Sequence, residues 1–158
     1  MIDITHNIQA IKTRIAVACA HAERDPQEVK LLLATKTVDA ERIIQAINCG
    51  ETLIAENKVQ ELKDKYETLK NTPHQNHFIG HLQTNKIKEI LKYDVSCIQS
   101  LDRFEIAEKL QQRLLFENKT IDVLIQVNTS KEESKFGIAP EAAIGLVKQV
   151  AQFKNIHI

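Results

Sequence analysis

The chain has 158 residues, enough for one domain with a buried core, and its 21 Lys and Arg residues balance its 21 Asp and Glu residues. Zero net charge argues against nucleic-acid binding, which needs a basic face. No apolar run approaches the ~20 residues of a membrane span, and the start, M-I-D-I-T-H-N-I, is not a signal peptide. Cys19, Cys49 and Cys97 are odd in number and widely spaced, which predicts no disulfide framework and favours a cytoplasmic protein.

Hydrophobic periodicity and turn residues divide the chain into a leading helix and then alternating strands and helices. The predicted helices are Ile4–Cys19, Ala40–Asn48 with Asp39 as N-cap, Lys58–Leu69, Asn85–Lys92, a helix capped by Asp102 and ending at Phe116, and Glu141–Gln152. The predicted strands are Val29–Thr35, Thr52–Ala55, His77–Gly80, Val95–Gln99, Ile121–Val127 and Asn155–Ile158. This order is typical of a parallel sheet with right-handed crossovers.

Two α/β architectures fit this order: a (β/α)₈ barrel of the TIM type that lacks its last strands, and an open doubly wound parallel sheet. The chain ends as a sixth strand begins, at Asn155–Ile158, without a turn or a polar tail. A complete barrel has about 250 residues. We therefore expect residues 1–158 to form one barrel domain that is incomplete at its carboxyl end, with the open sheet as the alternative.

The segment L-L-L-A-T-K, Leu31–Lys36, is an apolar run that ends in one lysine. Such a run is typical of a parallel strand buried on both faces, and Lys36 would lie at its carboxyl end, where α/β folds place their ligands. Desolvation favours the neutral amine, which can form a Schiff base with a carbonyl group. The segment predicts a ligand such as pyridoxal phosphate or a sugar-like aldehyde, although a solubilising lysine at a strand end is the simpler explanation.

Three further segments place polar side chains where strands give way to helices. Asn57 follows the second strand, His81 the third and Asn128 the fifth, and such groups can hydrogen-bond a polar heterocycle. Each signal is weak alone, since Asn57 is more often a helix cap and Gly80 more often a backbone requirement than a phosphate site. His81 has no partner at metal-ligand spacing, and the chain lacks the G-x-G-x-x-G and G-x-S-x-G motifs.

Together these segments resemble a known family. The strings L-L-L-A-T-K-T, A-E-N-K-V-Q-E, H-F-I-G-H-L-Q-T-N-K, I-Q-S-L-D and Q-V-N-T-S-K-E-E-S-K-F-G-I are similar, in order, to the pyridoxal phosphate homeostasis proteins, single-domain relatives of the alanine racemase barrel. The resemblance implies a barrel preceded by a helix, an internal aldimine between Lys36 and pyridoxal 5′-phosphate, and a role in vitamin B6 and amino-acid balance without a defined catalytic turnover.

The chain departs from the family pattern in three ways. Ile54-Ala55 stands where members commonly have F-G, and Thr35 where they often have serine. The family's phosphate-binding segments, S-M-G-M-S-like and R-I-G-like, lie in later strands and have no counterpart here. The resemblance therefore implies cofactor binding by the family, while these 158 residues alone are expected to bind little or none.

Two other functions remain open. A racemase or a class I Schiff-base enzyme would need a second acid or base. Tyr66 and Tyr93 are the only tyrosines and are predicted to lie away from Lys36, while Lys135 and Glu56 are expected to be solvated or capping. An interaction module that uses its helix faces is the other possibility. No protein partner is indicated by the sequence.

Overall fold

The computed structural model describes residues 3–158, which fold into six helices and six strands with two short 3₁₀ turns. The helices are α1 (Ile4–His21), α2 (Ala40–Asn48), α3 (Val59–Leu69), α4 (Ile87–Ile90), α5 (Phe104–Glu117) and α6 (Pro140–Val150). The strands are β1 (Leu33–Ala34), β2 (Leu53–Glu56), β3 (Gln75–Phe78), β4 (Val95–Leu101), β5 (Ile121–Ile125) and β6 (Ile156–His157). The alternation predicted from periodicity is confirmed.

The six strands form one parallel sheet in the order β1-β2-β3-β4-β5-β6. Each strand pairs with its neighbour in the chain, so the winding never reverses direction. A doubly wound sheet reverses at a topological switch point, whereas a (β/α)₈ barrel adds its strands in sequence order. The barrel-type α/β fold is therefore confirmed, and the open doubly wound sheet is wrong.

The main core lies between the sheet and the helices. It joins buried residues of β3, β4 and β5 to those of α3, α5 and α6, among them Phe78, Ile98, Val123, Leu110 and Leu146. A smaller cluster packs α2 on the first strands through Ile43, Ile47 and Ile54. This packing anchors the carboxyl ends of the strands on a rigid base. Among the helices of residues 3–158, none combines the length and hydrophobicity needed to cross a membrane.

Two predictions about the first strand are wrong. The ladder of β1 contains only Leu33 and Ala34, not seven residues, and Ala34 is exposed rather than buried on both faces. Within residues 3–158, β1 has a neighbour on one side only, β2. A strand with one neighbour forms half the ladder bonds of an inner strand, so the segment before Leu33 stays irregular.

The start of α5 also differs from the prediction. Its N-cap is Arg103, in extended conformation and without a side-chain cap bond, whereas Asp102 was expected there. The Asp102 carboxylate instead accepts a hydrogen bond from Arg103, whose second nitrogen, Nη2, donates to the Leu82 carbonyl at 2.6 Å. This ion pair ties the end of β4 to the segment after β3, and so it supports the same edge of the sheet as Lys36. By contrast, Asp39 caps α2 as predicted, accepting from the Arg42 N–H at 3.1 Å.

Candidate functional site at the carboxyl ends of the strands

Lys36 lies in the turn between β1 and α2, at the carboxyl end of its strand as predicted. The turn is fixed by two backbone hydrogen bonds, from Thr35 N–H to the Ala55 carbonyl (2.9 Å) and from Val38 N–H to the Thr35 carbonyl (3.0 Å). Thr37 adopts φ +64°, which closes the turn tightly. Lys36 itself is exposed, so the apolar burial that the sequence suggested is absent. Among residues 3–158 its amine has no hydrogen bond or ion pair, which leaves it accessible to a ligand.

A buried charged cluster, the Lys65 cluster, lies directly behind this turn and consists of Thr35, Glu56, Glu61 and Lys65. Lys65 Nζ donates to Glu56 Oε1 (2.7 Å) and to the Thr35 carbonyl (2.9 Å), and it pairs with Glu61 Oε2 (2.7 Å). The Thr35 hydroxyl donates to Glu56 Oε1 at 2.6 Å. Glu56 is only 2% exposed, so the expectation that it is solvated or capping is wrong. It pairs in register with Phe78, on the face of the sheet that the helices cover, and α3 supplies its cation.

Asn57 follows β2 and precedes α3, yet it does not cap that helix. The N-cap position belongs to Lys58, and the Asn57 Oδ1 atom is buried without a hydrogen-bond partner. The backbone of Asn57 lies against Gly80, where an added Cβ would stand 1.9 Å from the Asn57 carbonyl oxygen. Gly80 is therefore required for close approach of two backbones, as the sequence favoured, and Asn57 keeps an unused acceptor.

His81 follows β3 and stacks on Phe136, with ring centroids 3.8 Å apart and an interplanar angle of 18°. Its Nδ1 atom is buried, makes no hydrogen bond and lies 3.8 Å from Asp102 Oδ2. The stack joins the end of β3 to the loop that follows β5, passing over the end of β4. A second buried atom without a partner, Ser100 Oγ, lies near that end of β4.

Asn128 organises the loop after β5, which the sequence presented only as a polar segment without periodicity. Its side-chain amide donates to the carbonyls of Glu132 (2.9 Å) and Lys135 (3.4 Å), and its Oδ1 accepts from the Ser130 hydroxyl (3.2 Å). Gly137, at φ +126°, packs against the Asn128 backbone. Asn128 therefore shapes the loop that carries Phe136, and its side chain is engaged within the chain.

These four residues share one edge of the sheet, the carboxyl rim, defined here by Lys36, Asn57, His81 and Asn128. The connection runs through contacts: the Lys65 cluster links the Lys36 turn to the end of β2, Asn57 touches Gly80, and His81 reaches the loop of Asn128 through Phe136. Sequence reasoning missed Lys65 as part of this region, and it gave the ring of Phe136 no role, although it placed the segment S-K-F-G on this rim. Lys65 lies three residues after Leu62 on the buried face of α3, and Phe136 lies within the quoted S-K-F-G string, so both carried a signal.

The tyrosines lie at the opposite end of the sheet. The Tyr66 hydroxyl donates to Asp94 Oδ2 at 2.9 Å, immediately before β4 begins, and Tyr93 packs edge-on against the Tyr66 ring. The hydrogen bond to the Asp94 carboxylate raises the pKa of Tyr66 above its usual value. A cavity of about 520 Å³, lined in part by Lys12, Pro26 and Glu51, also lies at this amino end and includes none of the four rim residues.

One row of the sheet register carries ionisable groups: the aligned residues are Ala34, Ala55, His77, Cys97, Asp122 and His157. Burial lowers the pKa of His77, and burial followed by the nearby Asp122 carboxylate raises the pKa of Cys97 to about 11. Cys97 is thus a protonated, unreactive thiol at neutral pH. Across the described residues, no group of three or more His, Cys, Asp and Glu side chains is arranged to hold a metal ion.

Comparisons with known proteins identify the family of this chain. Residues 4–158 match the family described as "Alanine racemase, N-terminal domain". A pyridoxal phosphate homeostasis protein of Aquifex aeolicus is 41% identical over 151 residues, which cover 96% of this chain and 66% of the relative. The chain thus spans about two thirds of the length of the curated relatives it matches.

Solved structures show the same fold. An unknown protein from Bifidobacterium adolescentis superposes with a TM-score of 0.87 at 34% identity, covering 99% of this chain and 69% of the other. PipY of Synechococcus elongatus, solved with pyridoxal phosphate bound, has a TM-score of 0.80 at 22% identity, over 99% and 68% of the two chains. By sequence and fold the chain belongs to the alanine racemase N-terminal domain family and, within it, to the pyridoxal phosphate homeostasis proteins.

Proposed function

We propose that this chain binds pyridoxal 5′-phosphate through a Schiff base on Lys36 and serves vitamin B6 and amino-acid homeostasis. One observation carries the proposal: within residues 3–158, the exposed Lys36 amine has no ion pair, and on the same rim Asn57 Oδ1 and His81 Nδ1 are buried without a partner. Buried polar atoms without partners are rare in folded proteins, so these two atoms, which share the rim with the Lys36 amine, are candidates for contact with a ligand. The homeostasis proteins at 35–41% identity and the PipY structure with the cofactor support the choice of ligand.

The residues present fit the cofactor's chemistry in part. Lys36 would supply the amine that condenses with the cofactor's aldehyde to a Schiff base, with the aldehyde oxygen lost as water. Asn57 Oδ1 would accept a hydrogen bond from the cofactor, and His81 Nδ1 would donate or accept one according to its tautomer. The phosphate needs backbone N–H groups that the resemblance places in later segments of the family. We propose residues 1–158 as one cofactor-binding domain.

We propose further that the bound cofactor is held and not turned over. Racemisation needs an acid or base on the face of the cofactor opposite the lysine. Tyr66 contacts Asp94, and Tyr93 packs against Tyr66. Both tyrosines lie at the amino end of the sheet, opposite to the end that carries Lys36. Glu56 is committed to Lys65, so it is not available as a base. The name of the curated relatives, homeostasis proteins, supports this part of the proposal.

The decisive experiment maps the modified lysine. Purified chain is mixed with pyridoxal phosphate, reduced with borohydride and digested, and the adduct is located by mass spectrometry. We expect the label on Lys36. In Lys36→Ala we expect the absorbance of the protein-bound Schiff base to be lost. A label on Lys58, Lys86 or Lys135 with Lys36 unmodified would contradict the proposal.

Turnover is tested separately. Holo-protein is incubated with D- and L-amino acids in deuterated water, and the α-proton is followed by NMR. We expect no exchange above that of free pyridoxal phosphate. Rapid exchange that Lys36→Ala abolishes would identify a racemase-like enzyme.

We also propose a cytoplasmic location. Cys19, Cys49 and Cys97 are all free thiols, and Cys19 and Cys97 are buried as small apolar residues. Free thiols are stable in a reducing compartment. Fractionation of cells that produce the tagged chain would test the location, and recovery from an oxidising compartment would contradict it.

A further inference from the structure

Lys65 is a buried ammonium group whose hydrogen-bonding capacity is fully used. A lysine ammonium has three N–H donors and no acceptor. Three oxygens surround Lys65 Nζ within 2.9 Å: Glu56 Oε1, Glu61 Oε2 and the Thr35 carbonyl. The residue is 8% exposed, and two of its three partners are carboxylates. A primary amine held in this way has no lone pair to offer to an aldehyde.

The same cluster holds both neighbours of Lys36. On one side, Thr35 is held through two groups: its carbonyl accepts from Lys65, and its hydroxyl shares one hydrogen between Glu56 Oε1 (2.6 Å) and the Ala55 carbonyl (3.1 Å). On the other side, the Thr37 N–H donates to Glu61 Oε2 at 3.4 Å, at a residue of positive φ. Lys36 is thus an exposed residue between two positions that are fixed to a buried charged cluster.

We propose that the Lys65 cluster is a positioning device for Lys36: it fixes the turn that presents the Lys36 amine and keeps the second nearby amine, that of Lys65, out of reaction with aldehydes. The inference rests on the proposed function for the identity of the ligand. It goes further by assigning Thr35, Glu56, Glu61 and Lys65 as positioning residues, none of which contacts the reacting atoms.

The first test needs no cofactor and measures amine reactivity directly. Apo-protein is treated with formaldehyde and cyanoborohydride, and dimethylation of each lysine is followed by peptide mapping. We expect Lys36 to react about tenfold or more faster than Lys65, the scale of one or more charged hydrogen bonds. In Glu61→Gln the Lys65 rate rises, whereas the control Glu89→Gln, which breaks the exposed pair with Lys86, leaves the Lys65 rate unchanged. Equal rates for Lys36 and Lys65 in the unaltered chain would overturn the proposal.

The second test compares two substitutions at one position. Thr35→Val keeps the side-chain shape and removes the hydroxyl, while Thr35→Ser keeps the hydroxyl. We expect Thr35→Val to bind pyridoxal phosphate about tenfold more weakly and Thr35→Ser to remain within about twofold of the unaltered chain. Thermal unfolding monitors the fold of each variant. Equal affinity of the valine and serine variants would overturn the positioning role.

Hydrogen exchange separates this inference from the proposed function. In the apo-protein, the peptide containing residues 35–38 should exchange faster in Thr35→Val than in Thr35→Ser, because the Val38 N–H bonds to the Thr35 carbonyl that the cluster holds. A peptide from α5 serves as the reference. If the unaltered chain fails to bind the cofactor on Lys36, the proposed function falls, while exchange and methylation still decide whether the cluster positions the turn. Unchanged exchange in Thr35→Val would contradict the inference.

Discussion

The Lys65 cluster and the outer part of the carboxyl rim lie side by side but differ in how far their polar atoms are satisfied. In the cluster, the ammonium group meets three oxygens, and the Thr35 hydroxyl shares its one hydrogen between Glu56 Oε1 and the Ala55 carbonyl, so that among the described residues only Glu56 Oε2 of the cluster is buried without a partner. On the rim, Asn57 Oδ1 and His81 Nδ1 are buried and bond to nothing in the described part of the chain. The first arrangement is that of a structural support, and we propose the second as the surface that receives the ligand. Four substitutions or conditions test this contrast, beginning with the largest expected change in stability.

Lys65→Met should cause the largest loss of stability. It leaves Glu56, 2% exposed, as a buried carboxylate without its cation, which costs about 3–5 kcal/mol of unfolding free energy. The matched control is Lys86→Met, since Lys86 and Glu89 form a partly exposed pair whose loss costs less than about 1 kcal/mol. Urea unfolding of the three proteins measures both. Similar losses of unfolding free energy in the two variants would show that the Lys65 cluster stabilises the fold no more than an exposed ion pair does.

Gly80→Ala should cause the second largest loss of stability. The new Cβ would meet the Asn57 carbonyl oxygen at 1.9 Å, so one of two backbones has to move, at a cost of about 2–3 kcal/mol. Gly145→Ala is the control, because nothing lies within 4 Å of its Cβ and alanine favours helix α6 by about 0.5–1 kcal/mol. Opposite signs of the two changes in melting temperature are expected. A neutral Gly80→Ala would show that the two loops are not held together.

A smaller effect should appear at acid pH through Glu61. The hydrogen bond from Lys65 lowers the pKa of Glu61 below its ordinary 4.5, with further contributions from the Lys65 charge, the Thr37 N–H and Lys58, while burial opposes them. A lowered folded-state pKa means that the stabilisation is present above pH 4.5 and disappears as the pH falls through the folded value. The carboxylate is partly solvated, so the contribution is below about 1 kcal/mol.

Melting temperatures of the unaltered chain and Glu61→Gln, measured from pH 7 to pH 3, check this expectation. The difference between the two proteins should shrink as the pH falls. A difference that is constant across the range would exclude titration of Glu61 as its origin.

Asn57→Ala should change stability least. It removes an acceptor that has no partner, so the unfolding free energy should stay within about 1 kcal/mol of the unaltered value and is expected to rise rather than fall. Affinity for pyridoxal phosphate, measured by absorbance titration, should nevertheless decrease. A clear loss of stability with unchanged affinity would place Asn57 among the structural residues and remove it from the ligand surface.

Much of the fold and part of the candidate site could be predicted from the sequence. The alternation of strands and helices follows from periodicity, and the position of Lys36 at a strand end follows from the abrupt change from L-L-L-A to lysine. Asp39 was identified as a cap because a carboxylate before a helix satisfies local N–H groups, and local sequence contains that information. The ordered motifs indicated the family, which the comparisons confirm.

The features that could not be predicted from the sequence depended on contacts between segments distant in the chain. Sequence spacing could not show that Glu56 would be buried. Its burial depends on the strand register that places it beside Phe78 and on the ion pair with Lys65 of the next helix. Nor could it show that Arg103 would take the N-cap position expected for Asp102, since Arg103 also donates to the Leu82 carbonyl in the segment after β3. The sequence by itself determined which elements form and which residue types reach the carboxyl edge, because those depend on local pattern. Only the tertiary structure decided how the polar atoms of Thr35 and Glu56 are satisfied, because their partners come from another strand, from the turn after β1 or from helix α3.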